Sequence, residues 1–289
     1  LLISGFSFPE NQYIMFKERK KEDDFMIKLI ASDLDGTLLQ NGAQELNPEI
    51  YDLILALKER GIHFAAASGR QYASERNLFK PIADEISYIA ENGAVCIHNN
   101  QIISITEIDR DLAFRIIDAI KQCPNCKPLV SCLNCCYIES GDDEYLYHIR
   151  HVVHNNVDTV DDFASIQEPI LKIALLDTVT PQQSATYLRE LFKNEIKVVT
   201  SGMDWIDFVP LHSNKGTALK TLLETLHLSP EEAVSFGDQQ NDIEMLTLTQ
   251  KSYAMATAPE DVKNCAYAVT DSAEKILKQI IKEDRKSVE

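Results

Sequence analysis

Two aspartates stand directly after a short apolar stretch near the start of the chain. Residues 27–32 read IKLIAS, and Asp33 and Asp35 follow them, with Gly36 as a turn residue behind. Carboxylates at the end of a buried strand are costly in free energy unless positive charge compensates them. The sequence therefore predicts that both aspartates face a cation and serve chemistry beside it.

Other side chains capable of chemistry also follow apolar stretches that we interpret as strands. In an open α/β sheet, ligands bind beyond the carboxyl ends of the strands. The groups expected at this edge are Ser68, Gly69 and Arg70 after the stretch 62–67, and Asp238, Asn241 and Asp242 after the stretch 233–236. Lys215 begins a predicted helix, whose N-terminus favours an anion.

If the ligand is a phosphate ester with a magnesium ion, each of these groups has a role. Asp33 and Asp238 offer the carboxylates that magnesium prefers, and a backbone carbonyl near Asp35 offers a further oxygen. Asp33 can also attack phosphorus, which would form an aspartyl-phosphate. Asp35 would protonate the leaving oxygen and then deprotonate the attacking water.

The charged phosphate oxygens need donors as well as the metal. The predicted donors are the Ser68 hydroxyl, the Gly69 amide and the Lys215 amine, which would act by positioning and electrostatics. Asn241 would bind the phosphate or fix Asp238, and Asp242 would orient Lys215.

Four short motifs resemble, in order, those of the haloacid dehalogenase (HAD) superfamily. They read DLDGT, SGR, NKG and GDQQND. The long insert between the second and third motifs resembles the family's type-two, subtype-B cap, and the whole is similar to a Cof-like sugar-phosphatase from Met26 onward. One segment, YAMATAPEDVK, departs from the family pattern, which more often has a small turn residue where Thr257 stands.

The resemblance implies a magnesium-dependent phosphatase, a hydrolase acting on sugar phosphates or other small phosphorylated metabolites. It implies Asp33 as nucleophile and Asp35 as acid/base, with Asp33, Asp35 and Asp238 around Mg²⁺. Phosphate contacts are implied for Leu34, Ser68, Gly69, Lys215 and Asn241, with Asp242 in support. Spacing does not identify the residues that recognise the leaving group. The candidates are Arg70, Asn92 and the strand edge 132–137.

The elements that position these groups follow an α/β rhythm at both ends of the chain. Strands are predicted at 27–32, 62–67 and 87–94, with a helix between the first two that Asn47 caps and Pro48 begins. After these strands, the predicted strands and helices mix without strict alternation as far as Pro210. The alternation of strands and helices then resumes. The predicted fold class is α/β, with a Rossmann-like parallel-sheet HAD core and an inserted α+β cap domain.

The chain length of 289 residues favours two domains over one core. We predict a core domain from residues 26–107 and 211–289, and a cap domain from residues 108–210. Residues 1–25 contain a charged run and are interpreted as a leader that is either flexible or foreign to the natural protein.

Composition and charge exclude some classes of protein. The chain is 45% hydrophobic and 25% charged, which is typical of soluble proteins, and no apolar run approaches a membrane span of ~18–20 residues. The formal net charge of −17 argues against binding to nucleic acid. The N-terminal stretch has no signal-peptide pattern, which favours the cytoplasm and reduced cysteines. No obligate protein partner is evident.

Simpler interpretations exist for each motif taken alone. The Asp33–Asp35 pair could be a turn, Ser68 a residue that breaks a strand, and Lys215 a surface lysine. Asp242 could simply begin its helix, where negative charge is favourable. The four motifs in order, each at a strand or helix end, favour the catalytic interpretation.

A cysteine cluster provides the strongest competing signal. Cys123 and Cys126, and Cys132 and Cys135, form two C-x-x-C pairs, and four thiolates can hold zinc. The gap of five residues between the pairs is shorter than that of a zinc ribbon, and Cys132 and Cys136 fall in predicted strands. We therefore favour buried free thiols, and the zinc alternative stays open.

Two other functions remain open at this stage. A phosphomutase on the same scaffold would pass the phosphate to a sugar instead of water. A non-catalytic phosphoacceptor regulator would also use an acidic cluster and a lysine, but such domains are about half as long and lack a cap.

Overall fold

The computed structural model describes residues 26–201 and 204–287, so the predicted leader 1–25 lies outside the described residues. The described strands are β1 Leu29–Ser32, β2 His63–Ala67, β3 Ser87–Ala90, β4 Val95–His98, β5 Gln101–Ile105, β6 Lys127–Cys132, β7 Cys136–Glu139, β8 Val157–Val160, β9 Ile170–Leu176, β10 Lys197–Ser201, β11 Trp205–Val209, β12 Ala233–Gly237, β13 Lys251–Met255 and β14 Ala268–Thr270. The described helices are α1 Pro48–Lys58, α2 Tyr72–Leu78, α3 Arg110–Gln122, α4 Asp143–His151, α5 Pro181–Leu191, α6 Lys215–Thr225, α7 Ile243–Leu248, α8 Glu260–Cys265 and α9 Ala273–Ser287. Across the described ranges, none of the helices has the length and apolar character needed to span a bilayer.

The larger sheet has eight strands in the order β14-β13-β12-β1-β2-β3-β4-β5. The six strands from β14 to β3 run parallel, and the hairpin β4–β5 completes the sheet in antiparallel fashion. Strand β1 is fully buried and lies between β2 and β12, which explains its nearly continuous apolar sequence. The carboxyl ends of β12, β1 and β2 therefore meet at the centre of one edge.

Helix α1 follows the local rules that its sequence predicts. The Asn47 side chain accepts a hydrogen bond from the Glu49 amide at 3.1 Å, and Pro48 takes the first position. One apolar face is buried on the sheet, formed by Ile50, Leu53, Ile54 and Leu57. This face joins the cluster that covers one side of the larger sheet, and α6 covers the other side.

The smaller sheet has six strands in the order β10-β11-β9-β6-β7-β8 and is antiparallel except at β7–β8. Helices α3 and α5 bury their apolar faces on one side of it, and α4 covers part of the other. This sheet lies within the segment 108–210 and is the inserted α+β cap, as predicted. The domain boundaries themselves stay a prediction.

Several predicted elements differ in the structure. The strand predicted over 87–94 ends at Ala90, because Glu91 and Asn92 adopt positive φ angles of 52° and 55° and form a single helical turn. The sequence over 142–154 favours a single helical segment, but α4 ends at His151, which leaves His154 outside it. Sequence analysis did not predict β8, α8 and β14, which are short and weakly apolar.

Candidate active site

The predicted site residues lie at the carboxyl edge of β12, β1 and β2. Asp33, Leu34 and Asp35 follow β1, and the Asp33 amide donates to the carbonyl of Phe236 in β12 at 3.0 Å. Ser68, Gly69 and Arg70 follow β2, Asn92 follows β3, Asp238, Asn241 and Asp242 follow β12, and Lys215 begins α6. The topology thus brings these groups to one edge.

Lys215 forms the centre of the site. Its ammonium nitrogen lies 2.5 Å from Asp33 Oδ1 and 2.6 Å from Asp242 Oδ1, and its side chain is fully buried. Asp242 Oδ2 accepts hydrogen bonds from the amides of Asp238 and Gln239, both at 2.9 Å. Both oxygens of Asp242 are therefore used, and Asp242 orients Lys215 as the sequence predicts.

Burial and charge set the electrostatics of this cluster. Burial raises the pKa of Asp33 well above its usual value, the charge of Asp242 adds to this, and Lys215 opposes it. Burial lowers the pKa of Lys215, but the charges of Asp242 and Asp33 outweigh burial and raise it. Burial also raises the pKa of Asp238. One ammonium among three carboxylates leaves an excess of negative charge.

The buried carboxylates fit a divalent cation. Ligand oxygens of Asp33, Asp238 and Asp242 lie within 4.8 Å of one another. Asp33 Oδ2 is buried and has no hydrogen-bond partner within the described part of the structure. Asp242 is held by the Lys215 ammonium and two backbone amides, whereas Asp238 accepts from two neutral side chains. Asp33 and Asp238 are therefore the carboxylates better placed to hold magnesium.

The backbone of the first motif holds Asp238 close. Gly36 has a φ of +91°, and a Cβ at this position would lie 2.2 Å from Asp238 Oδ2. Thr37 Oγ1 donates to Asp238 Oδ1 at 3.3 Å, and Gln239 Nε2 donates to Asp238 Oδ2 at 3.0 Å. Glycine is therefore required at position 36 both for its backbone angle and for this approach.

Asp35 lies apart from the buried carboxylates. Its side chain is 56% exposed and forms a bidentate ion pair with Arg70, whose Nε and Nη2 donate at 2.7 and 2.6 Å. Asp35 therefore faces the open side of the site, where a leaving group would lie. The side chain contributes no oxygen to the buried cluster, so any bond from this residue to a metal would use its backbone carbonyl.

The second motif forms a tight loop beside the nucleophile candidate. Ser68 is 2% exposed, and its hydroxyl oxygen accepts a hydrogen bond from the Arg70 amide at 3.1 Å. A Cβ on Gly69 would lie 3.0 Å from Asn92 Oδ1. The same oxygen accepts a hydrogen bond from Asn241 Nδ2 at 2.9 Å. Asn92, Asn241 and Gly69 are thus in one contact network. Leu34 is fully buried and its side chain is apolar, so its backbone amide is the only group that it could offer to a phosphate.

Sequence analysis missed three buried charged residues near this edge. Glu91 and Lys172 form an ion pair of 2.7 Å between the core and the cap. Glu75 in α2 is fully buried, and neither of its carboxylate oxygens has a hydrogen-bond partner in the described structure. The only signal was a lysine within the apolar stretch ILKIALL, because the other partners lie far away in sequence.

The cysteines of the cap are distributed over several environments. Cys132 and Cys136 are buried in β6 and β7, as predicted. Cys126 Sγ contacts Asp177 Oδ2 at 3.8 Å and Ser184 Oγ at 3.7 Å. Among the described residues, the aspartates 33, 238 and 242 form the only group of three or more side chains positioned to share a metal.

Known proteins resemble this chain over most of its length. The family described as haloacid dehalogenase-like hydrolase matches residues 30–280. The 5-amino-6-(5-phospho-D-ribitylamino)uracil phosphatase YbjI of Escherichia coli K12 is 28% identical over 263 residues, which cover 87% of this chain and 97% of that protein. A solved structure from Eubacterium rectale has a TM-score of 0.80 and 29% identity, over 89% of this chain and 99% of the other.

The cap also has a solved counterpart. The HAD subclass IIB sugar phosphatase BT4131 superposes with a TM-score of 0.73 at 20% identity, over 87% of this chain and 98% of the other, which supports the fold alone. Together the matches confirm the predicted resemblance, the capped α/β fold and the class of enzyme, a phosphoric monoester hydrolase. This chain belongs to the haloacid dehalogenase-like hydrolases.

Proposed function

We propose that this enzyme is a magnesium-dependent phosphatase that hydrolyses small phosphorylated metabolites, with sugar phosphates favoured, through an aspartyl-phosphate on Asp33. The observation that carries the proposal is the buried carboxylate of Asp33. One oxygen is fixed by Lys215 at 2.5 Å, and the other has no hydrogen-bond partner in the described structure and lies beside Asp238. A nucleophile needs such a fixed carboxylate with one free oxygen.

In the proposed first step, the free oxygen of Asp33 attacks phosphorus and the bond from phosphorus to the leaving oxygen breaks. For this step Asp35 must leave its ion pair with Arg70 and carry a proton, which it gives to that oxygen, so the alcohol leaves neutral. In the second step Asp35 takes a proton from water, the water oxygen bonds to phosphorus, and the bond to Asp33 breaks. Inorganic phosphate is released and Asp33 is restored.

The other site residues would bind and orient the phosphate. The Ser68 hydroxyl, the backbone amides of Leu34 and Gly69, the Asn241 amide and the Lys215 ammonium are the proposed donors to its oxygens. Asp33 and Asp238, with the backbone carbonyl of Asp35, would hold Mg²⁺, which when bound supplies positive charge that neutralises phosphate oxygens. The cap would close over the leaving group and exclude bulk water.

The substrate class can be narrowed by a screen. YbjI is named for a phosphorylated ribityl compound, and the fold neighbour BT4131 is titled a sugar phosphatase. The panel should therefore contain phosphate esters of sugars and sugar alcohols, with nucleotides as a contrast. Release of free phosphate without a sugar bisphosphate activator would separate hydrolysis from phosphomutase chemistry.

The decisive experiment replaces Asp33 with Asn. We expect hydrolysis of p-nitrophenyl phosphate with magnesium to fall by about a thousandfold or more, since a covalent step is lost. The matched control Asp52→Asn changes an exposed aspartate of α1 and should retain activity. Borohydride reduction during turnover should convert residue 33 of the wild-type chain to homoserine, as seen by mass spectrometry. Retained activity in Asp33→Asn would exclude Asp33 as the nucleophile.

A further inference from the structure

Lys172 is a charged residue in the middle of an apolar cap strand. It lies in β9, whose other residues are apolar, and its side chain is only 11% exposed. Its ammonium nitrogen leaves the cap sheet and reaches the core. It lies 2.9 Å from the carbonyl oxygen of Gly69, 2.7 Å from Glu91 Oε2 and 3.8 Å from Asp207 Oδ2.

We propose that Lys172 is a positioning residue of this hydrolase, which fixes the Gly69–Arg70 peptide and thereby orients the Ser68 hydroxyl toward the substrate phosphate. This inference rests on the proposed function. It assigns to a cap residue a part in building the phosphate site of the core.

The geometry of one peptide group carries the inference. The Gly69 carbonyl accepts from Lys172, and the Arg70 amide, which belongs to the same planar peptide, donates to Ser68 Oγ at 3.1 Å. Because Ser68 Oγ accepts this bond, its own proton is left to donate elsewhere. A rotation of the peptide would break both bonds, so the ammonium controls the direction of the hydroxyl.

The cap sheet places Lys172 by its register. Ser131 in β6 is paired with Lys172, and Asp207 in β11 lies on the other side of β9, so the three polar side chains share one face. Burial lowers the pKa of Lys172, but the charges of Asp207 and Glu91 outweigh burial and raise it. The residue is therefore a permanent cation.

Glu91 ties the same loop from the core side. Its amide donates to the Arg70 carbonyl at 3.0 Å, and its carboxylate contacts Lys172 and accepts from Ser131 Oγ. The residue has a φ of 52°, which is unfavourable for glutamate and persists only where contacts enforce it. The loop is thus held by paired charges from two domains.

The test measures inhibition by inorganic phosphate, a probe too small to touch a leaving-group pocket. In Lys172→Met we expect the inhibition constant of orthophosphate against p-nitrophenyl phosphate hydrolysis to rise about tenfold or more, because a charge-assisted hydrogen bond is lost. Lys127→Met is the matched control, since this lysine lies in β6 and pairs with Asp142 within the cap. It should behave like the wild-type enzyme.

A double variant separates positioning from general stability. Ser68→Ala removes the hydroxyl that Lys172 is proposed to orient, so Lys172→Met should weaken phosphate inhibition much less in that background. Glu91→Gln keeps the ammonium but removes its anionic partner, and should raise the inhibition constant severalfold. If Lys172→Met does not fold, Glu91→Gln with and without Ser68→Ala provides the same comparison.

The outcomes distinguish this inference from the function on which it rests. An enzyme whose Lys172→Met and Glu91→Gln variants keep the wild-type inhibition constant would overturn the inference, even if their turnover of larger substrates falls. Equal effects with and without the Ser68 hydroxyl would also overturn it. A wild-type protein that neither hydrolyses p-nitrophenyl phosphate nor binds orthophosphate would instead refute the proposed function.

Discussion

The absence of a side chain at position 36 determines where one carboxylate of the site can lie. Replacing Gly36 with Ala would place a methyl group at the Asp238 carboxylate and strain the backbone at a φ of +91°. We expect Asp238 to be displaced and the magnesium concentration for half-maximal activity to rise by about tenfold or more, as for other changes beside metal ligands. Magnesium titration of p-nitrophenyl phosphate hydrolysis measures this.

Gly42→Ala is the matched control for the backbone strain that a side chain causes at a positive φ. Gly42 also has a positive φ, of +74°, but a Cβ there would meet nothing within 4 Å. Both variants should lose stability, by about 1 kcal/mol, and only Gly36→Ala should change the magnesium requirement. The same requirement in both variants would show that the contact with Asp238 is unimportant.

Glu75 allows a prediction of how stability depends on pH. Burial raises the pKa of this carboxyl well above its usual value, and Lys215 opposes the shift. Because the folded state holds the proton more tightly than the unfolded state, Glu75 contributes less stability as the pH rises above about 4. Glu75→Gln should therefore match the wild-type protein near pH 4 and exceed its stability at pH 7, by about 1 kcal/mol or more.

Thermal unfolding of both proteins from pH 4 to 8 measures this difference. Glu107→Gln, at an exposed position, is the control and should follow the wild-type protein throughout. A Glu75→Gln variant that is less stable than the wild type at pH 7 would mean that the carboxylate has a stabilising partner.

At the scale of elements, two helix caps of the same residue type can be compared. Asn214 caps α6 by accepting from the Thr217 amide at 2.7 Å, and Lys215 follows it directly. Asn47 caps α1, which carries no site residue. Replacing either with Ala should lower the free energy of unfolding by about 1 kcal/mol, but only Asn214→Ala should lower activity, because Lys215 depends on the start of α6.

Paired measurements of unfolding and of phosphatase activity decide the point. Equal activity in the two cap variants would show that Lys215 is held by its carboxylates alone.

The same elements explain how much of the fold could be predicted from the sequence. Strands β1, β2 and β12 were predicted because each is an apolar run that ends in a motif, and α1 because of its cap, proline and apolar stripe. Strand β8 has only one buried residue, and β14 has three residues, so periodicity could not reveal them. The turn at Glu91 was missed because glutamate rarely adopts a positive φ.

At the scale of the whole molecule, only the site residues that belong to the sequence motifs could be predicted. Asp33 and Asp238 were predicted because parallel strands bring their carboxyl ends together whatever the rest of the chain does, and Lys215 because it belongs to the third motif at the start of a helix. Contacts across the cap, such as the bond from Lys172 to Gly69, join residues about a hundred positions apart and depend on how two sheets meet. The spacing of residues along the sequence gives no information on contacts between the two sheets.

If the acidic cluster holds magnesium as proposed, the stability of the whole molecule depends on magnesium. Ligand binding to the folded state alone stabilises it, by about 2.7 kcal/mol at a hundredfold excess over the dissociation constant. We therefore expect magnesium to raise the melting temperature of the wild-type protein. Asp238→Asn removes a carboxylate that is only 4% exposed, so this variant should be at least as stable as the wild type without magnesium and gain much less from it.

The measurement is thermal unfolding with and without magnesium at constant ionic strength, which removes the general effect of salt on a chain with a net charge of −17. Asp52→Asn loses the same charge at an exposed position of α1 and should respond to magnesium like the wild type. If magnesium raised the melting temperature equally in all three proteins, the cation would be acting on surface charge. The cluster formed by residues 33, 238 and 242 would then have no part in holding it.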